Sequence, residues 1–210
     1  NRIFAGTNEI QHLFIARAAV DTHLKVAGDL IDPKAPPSKK LAAMVKAGLF
    51  YAVWYPSKWL GWSGWPKYSA FGPLATHLRF VESNSRRLAR AQFHAMVKYQ
   101  GGLERKQSIL FRFVDVAAEL YAMCAAISMA QSKSGAEGAD AVRLADLFCR
   151  NARRRVKDSF RRVGDNDDEM GYRTAKDVLE GKLTWLEHGV FNVDDLLAAA
   201  EAAAVSRSAS

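Results

Sequence analysis

Apolar residues in this chain recur every three or four positions over long stretches, and no stretch alternates with period two for long. That spacing gathers side chains along one side of a helix rather than on one face of a sheet. Only six prolines and fourteen glycines interrupt 210 residues. Alanine, leucine, arginine and lysine, which lose little freedom on entering a helix, are plentiful. The expected fold class is therefore all-α, a helical bundle. With 49% of its residues hydrophobic, the chain can bury a real core.

The stripes divide the chain. From Asn8 to about Leu24, the residues Ile10, Leu13, Phe14, Ile15, Val20 and Leu24 predict an amphipathic helix. Three prolines between Asp32 and Ser38 break it, which predicts a linker. A second helix is expected from Ser38 to about Trp54, with Leu41, Met44, Val45, Leu49 and Ala52 on its apolar side and Lys39, Lys40 and Lys46 facing away. A loop should follow from Tyr55 to Gly72.

Three long helices are then predicted, from about Pro73 to Tyr99, from Leu103 to Gln131 and from near Asp140 onward. The middle one carries a wide stripe of Leu110, Phe113, Ala117, Leu120, Tyr121, Cys124 and Ile127. On the last, Val142, Ala145, Cys149, Ala152 and Val156 should point inward and its arginines outward, with Asp146 and Arg150 spaced for an ion pair. A shorter helix from Asp167 to Glu180 should end at Gly181. Both cysteines, Cys124 and Cys149, are expected to be reduced core residues.

The first sixteen residues are the most informative. Gly6 permits a turn that brings the backbone close to a ligand, and Thr7 or Asn8 would start a helix whose free amides suit polar or anionic groups. Such a start is common and says little alone. Arg2 to Ile10, however, reads Arg-Ile-Phe-Ala-Gly-Thr-Asn-Glu-Ile. It closely resembles the R-I-[FY]-E-G-T-N-[ED]-I signature of the acyl-CoA dehydrogenases, and Glu119-Leu120-Tyr121-Ala122-Met123 is similar to a stretch of their very-long-chain members. Those members carry an additional C-terminal helical domain.

The resemblance implies an oxidation in fatty acid β-oxidation of long-chain acyl-CoA to trans-2-enoyl-CoA, with FAD as cofactor and electron-transferring flavoprotein as electron acceptor. It implies that Gly6 touches the substrate thioester and that Thr7, Asn8 and Glu9 contact the flavin. It also implies three regions. Residues 1–30 would end the catalytic C-terminal helical domain, 31–72 would form a linker with a basic and aromatic amphipathic segment, and 73–205 would form the additional domain. The fragment alone should be inactive, because the rest of the flavin and acyl sites would lie in preceding sequence.

One departure stands out. Ala5 occupies the place of the family's glutamate base. An introduced substitution, a base supplied from another helix, and a protein that no longer dehydrogenates are the three readings of that alanine. A backbone N–H survives at Ala5 and could still polarise the thioester carbonyl.

Four of the five tryptophans fall in a short lysine-rich stretch: Trp54, Trp59, Trp62 and Trp65, beside Lys39, Lys40 and Lys46. Indole rings favour the headgroup layer and lysines favour anionic lipid, which predicts a peripheral membrane contact. Packing between domains or in a homodimer, the assembly expected from long-tailed relatives, is the competing expectation. A non-catalytic helical module binding membrane or a partner is the alternative function. The expected location is cytoplasmic, at most peripheral to a membrane, and on the matrix side of the mitochondrion in a eukaryote.

The net charge of +8 and pI of about 9.6 suit acidic partners such as coenzyme A. The arginines from Arg153 to Arg162 read first as a solvated helix face, and no nucleic-acid partner is expected. The histidines are scattered without ligand spacing, so no metal is expected. The acidic run from Asp165 to Glu169 does not make a working calcium loop, since Lys176 stands where a closing glutamate would be needed.

Overall fold

The computed structural model describes residues 8–31, 34–60, 68–187 and residue 197. Six α-helices account for most of them: α1 (Asn8–Ile31), α2 (Pro37–Leu60), α3 (Ala75–Tyr99), α4 (Gln107–Gln131), α5 (Gly135–Gly164) and α6 (Asp168–Leu179). Short 3-10 turns at Ser69–Leu74 and Gln100–Arg105 lead into α3 and α4, and a third covers Thr184–Glu187. No strand occurs among the described residues. The all-α expectation holds.

The chain packs as two units, residues 1–166 and 167–210. In the first, α4 is the central helix. Phe113, Val116, Met123 and Ile127 are at most 1% exposed and meet Leu74 and Leu88 on one side and Cys149, Ala152, Val156 and Phe160 on the other. Small residues at Ala145, Cys149 and Ala152 let α5 lie close against α4, and Gly135, at φ +59°, opens α5 after a three-residue turn. By length and composition α4 is apolar enough to cross a bilayer, yet its buried side is the core of this unit.

The buried side of α4 differs from the expected stripe. Phe113, Leu120 and Ile127 are inside as predicted, but Tyr121 is 77% exposed and Cys124 is also exposed. Ile109, Val116 and Met123 complete the inner face instead. Cys149 alone behaves as a core cysteine, and burial, followed by the nearby Asp146 carboxylate, pushes its thiol up to about 11.

The second departure is α2, which continues through Pro56 to Leu60. A proline inside a helix removes a hydrogen bond and costs about 3 kcal/mol in isolation. Side chains from α3 hold the last turn in place. The Arg90 guanidinium donates to the Lys58 carbonyl and lies 4.0 Å over the Trp59 ring, and Tyr55 and His94 hydrogen-bond at 2.9 Å. The helical connection between Tyr55 and Leu60 is thus tertiary in origin.

On α1, Ala16 and His23 are buried, whereas Ile10, Phe14, Ile15 and Leu24 of the predicted stripe are exposed. The helix packs on α2 and α4 through its small and aromatic side.

In the second unit, α6 ends as its sequence dictates. Gly181 sits at φ +73°, its N–H donates to the Val178 carbonyl, and the Lys182 N–H donates to the Asp177 carbonyl. This pair of bonds satisfies carbonyls left open by the helix end, where glycine alone avoids a steric cost.

Candidate functional site

Ala5, Gly6 and Thr7, and also Trp62 and Trp65, lie outside the described residues. Asn8 and Glu9 form the first turn of α1, with Asn8 half-buried and Glu9 exposed. Among the described residues, α1 runs from Asn8.

What fixes the start of α1 is His12, a residue that no motif or spacing singles out. Its Nδ1–H donates to the Asn8 carbonyl at 2.7 Å and its Nε2–H donates to Asp115 Oδ1 on α4 at 3.0 Å. Both partners can only accept, so both ring nitrogens are satisfied only when the imidazole is protonated. Burial opposes the charge, but the bonds to Asp115 and Asn8 and the charges of Asp115 and Glu9 outweigh it and raise the pKa of His12. The ring also packs 5.1 Å from Phe111.

Eleven residues on, along the same side of α1, His23 has the opposite environment. It is 7% exposed, hydrogen-bonds Tyr51 Oη at 2.9 Å, and sits against Trp54 edge-on at 4.8 Å, with Phe50 and Phe93 around it. No charged side chain compensates a proton there, and burial lowers the His23 pKa. The Tyr51 hydroxyl is pushed up for the same reason.

The two histidines therefore act in opposite pH ranges. His23 stabilises the α1–α2 contact above pH 6.5, its ordinary value, and that contribution is lost as pH falls through its lowered pKa. His12 stabilises the α1–α4 contact below pH 6.5, and its contribution is lost as pH rises through its raised pKa. Acidification should loosen α1 from α2 while tightening it on α4. Histidine ring-proton NMR should show His12 titrating above 6.5 and His23 below it; the reverse order would contradict this assignment.

The predicted interface residues separate in space. Trp54 is half-buried within the aromatic cluster, and Lys40 is half-buried too. Trp59, Lys39 and Lys46 are exposed. Between them α2 presents an outward face of Leu41, Val45, Leu49, Val53 and Leu60, each 58 to 85% exposed. Exposed Lys39 and Lys46 stand on the same side as Val53, so the uncovered side of α2 combines these apolar residues with two lysines in its N-terminal half.

Every described histidine reaches another helix: His12 to Asp115, His23 to Tyr51, His77 to Asp146, and His94 to Tyr55. No group of acidic, histidine or cysteine side chains able to hold a metal occurs among the described residues. A cavity between Ala16, Val20, Gln92, Leu103, Leu110 and Phe113 measures about 10 Å³, room for one water and far too small for an acyl chain or a flavin.

Comparison with known proteins agrees with the reading of the motif. Residues 73–182 match the family described as ACAD9/ACADV, C-terminal domain. The chain is 48% identical over 196 residues to the probable acyl-CoA dehydrogenase FadE10 of Mycobacterium bovis and of Mycobacterium tuberculosis. Those alignments cover 91% of this chain but 30% of each relative, so the chain spans under a third of the proteins it matches. No solved structure matches. The chain belongs to the acyl-CoA dehydrogenase family, and its residues 73–182 are an ACAD9/ACADV C-terminal domain.

Proposed function

We propose that this chain is the C-terminal part of an FAD-dependent acyl-CoA dehydrogenase acting on long-chain acyl-CoA in fatty acid β-oxidation. The observation that carries the reading is one polypeptide joining Arg2-Ile3-Phe4-Ala5-Gly6-Thr7-Asn8-Glu9-Ile10 to an ACAD9/ACADV C-terminal domain. Electron-transferring flavoprotein is the proposed acceptor and a homodimer the proposed assembly.

The start of α1 is compatible with a flavin. First-turn amides lack helical acceptors, and Glu9 is exposed beside them. A carboxylate there repels a pyrophosphate but can accept from uncharged N–H or O–H groups, so this donor and acceptor set suits the ring or ribityl portion. FAD, when bound, takes up the substrate's β-hydrogen as hydride. This chain's own contributions are a main-chain approach to the thioester at Gly6, an N–H at Ala5 for its carbonyl, and polar contacts from Thr7, Asn8 and Glu9. With Ala5 in place of the glutamate, no side chain at that position can accept the α-proton. The test is the full-length protein: purified with a visible flavin spectrum, it fits the reading, and purified colourless and unable to take up FAD, it does not.

The apolar face of α2 supports docking of this region on an anionic bilayer, with Leu49 and Val53 inserted and Lys39 and Lys46 at headgroup level. Burying one leucine-sized side chain is worth about 1.5–3 kcal/mol. Leu49→Asp should therefore weaken co-sedimentation with phosphatidylglycerol vesicles by about tenfold or more. Unchanged sedimentation would assign the face to protein packing.

A further inference from the structure

Two sets of cations stand out on α3 and α5. Those of the first set are neutralised by carboxylates: Arg86 by Glu82, Arg150 by Asp146, Arg155 by Glu119, and Arg161 by Asp158 and Asp165. In the second, Arg87 and Arg153 reach across the seam between α3 and α5. Arg79, Arg87, Arg153, Arg154 and Lys157 have no carboxylate partner among the described residues.

Two of the second set are held in place from across the seam. Arg87 of α3 lies 4.1 Å over the Phe160 ring of α5, and Arg153 of α5 lies 4.7 Å over the Phe80 ring of α3. The seven-residue step from Phe80 to Arg87 matches that from Arg153 to Phe160, so the helices are parallel and the two guanidiniums bracket one stretch of groove. Arg153 is fixed further by His77, 2% exposed, whose Nδ1 accepts from Arg153 Nη1 at 3.5 Å while its Nε2–H donates to Asp146 at 2.8 Å.

A guanidinium lying flat on a ring keeps its in-plane N–H groups available, the geometry that matches a phosphate or carboxylate fork. A cation without a carboxylate partner is stabilised by an anion bound beside it. A phosphate presents acceptor oxygens in several directions and so meets more such N–H donors than a planar carboxylate does.

We propose that the α3–α5 seam is a binding site for a phosphate-bearing ligand, gripped by Arg87 and Arg153 and flanked by Arg79, Arg154 and Lys157. The phosphate can come from a soluble phosphate compound or from a lipid headgroup, and the site stands independently of the flavin reading above.

The test compares variants of the full-length protein. Pyrophosphate binding is followed by titration calorimetry, and binding to vesicles with and without phosphatidylglycerol by sedimentation. Arg87→Gln with Arg153→Gln should weaken pyrophosphate or anionic-vesicle binding by about tenfold or more, because each lost charge-assisted fork is worth about 1.5–3 kcal/mol. Arg79→Gln with Arg154→Gln, which disturbs no packed ring, should weaken the same binding and keeps the test valid if the first pair fails to fold. Arg161→Gln, at an arginine already neutralised, should change it less than about twofold. Loss confined to vesicles identifies a lipid headgroup, and loss confined to pyrophosphate identifies a soluble ligand; both uphold the site. Wild-type affinity in the Arg79 and Arg154 variant, or an equal loss in the Arg161 variant, overturns it.

Discussion

Replacing Ala5 by glutamate in the full-length protein is expected to raise acyl-CoA dehydrogenation by several hundred-fold, about 10²–10⁴ being the usual worth of a placed general base. The expectation rests on the pairing of Ala5 with Gly6, Thr7, Asn8 and Glu9, which matches the family's pattern at every position except the base. On the proposed reading, a glutamate side chain there would supply the carboxylate for the α-proton that Ala5 lacks. Flavin reduction under anaerobic single-turnover conditions is the direct readout, since it isolates proton and hydride removal from electron delivery. An unchanged reduction rate would show that the base comes from elsewhere or that the turn is not placed at the thioester.

The second large effect is structural. Phe113→Ala should destabilise the unit formed by residues 1–166 by about 3–5 kcal/mol, through lost burial and the cavity left behind. Phe113 is 1% exposed, sits on the central helix, and already borders a cavity of about 10 Å³ that the deletion would enlarge. For a domain of this size that corresponds to a fall in melting temperature of roughly 6–20 °C, measured by circular dichroism. Tyr121→Ala is the matched control. At 77% exposure on the same helix, it should shift stability by no more than about 0.5 kcal/mol. Equal losses for the two variants would mean that α4 is buried on the wrong side.

That pair of residues also shows where sequence stops being readable. In α5, charged residues alternate with apolar ones, so periodicity identifies Val142, Ala145, Cys149, Ala152 and Val156 as the inner face; the structure buries the last four and leaves Val142 half-buried against the same core. In α4, 18 of 25 residues are apolar, and more than one stripe fits the period. The one that packs is chosen by neighbours on α3 and α5, which moves Tyr121 and Cys124 outside. The run of α2 through Pro56 has the same origin, because Arg90, 32 residues beyond Lys58, holds the last turn. The histidine partnerships were invisible for that reason too. His12 and Asp115 are 103 positions apart, and His77 and Asp146 are 69 apart. Conversely, the family was legible in the stretch from Arg2 to Ile10, because a contiguous motif needs no knowledge of packing, and residues 73–182 bear the family independently.

Together these contacts describe a helix pair whose attachment depends on pH. His12 couples α1 to α4 when protonated, and His23 couples α1 to α2 when neutral. The outward apolar face of α2 is thus mounted on a contact that weakens as pH falls.

On the proposed reading, this region serves a flavin site for long-chain thioesters. The most direct measurement is titration of the full-length protein with a long-chain acyl-CoA while visible flavin absorbance is recorded. A bound flavin whose spectrum shifts on saturable addition of thioester is the expected result. A protein that carries no flavin, or a flavin spectrum indifferent to the thioester at any concentration, would contradict it.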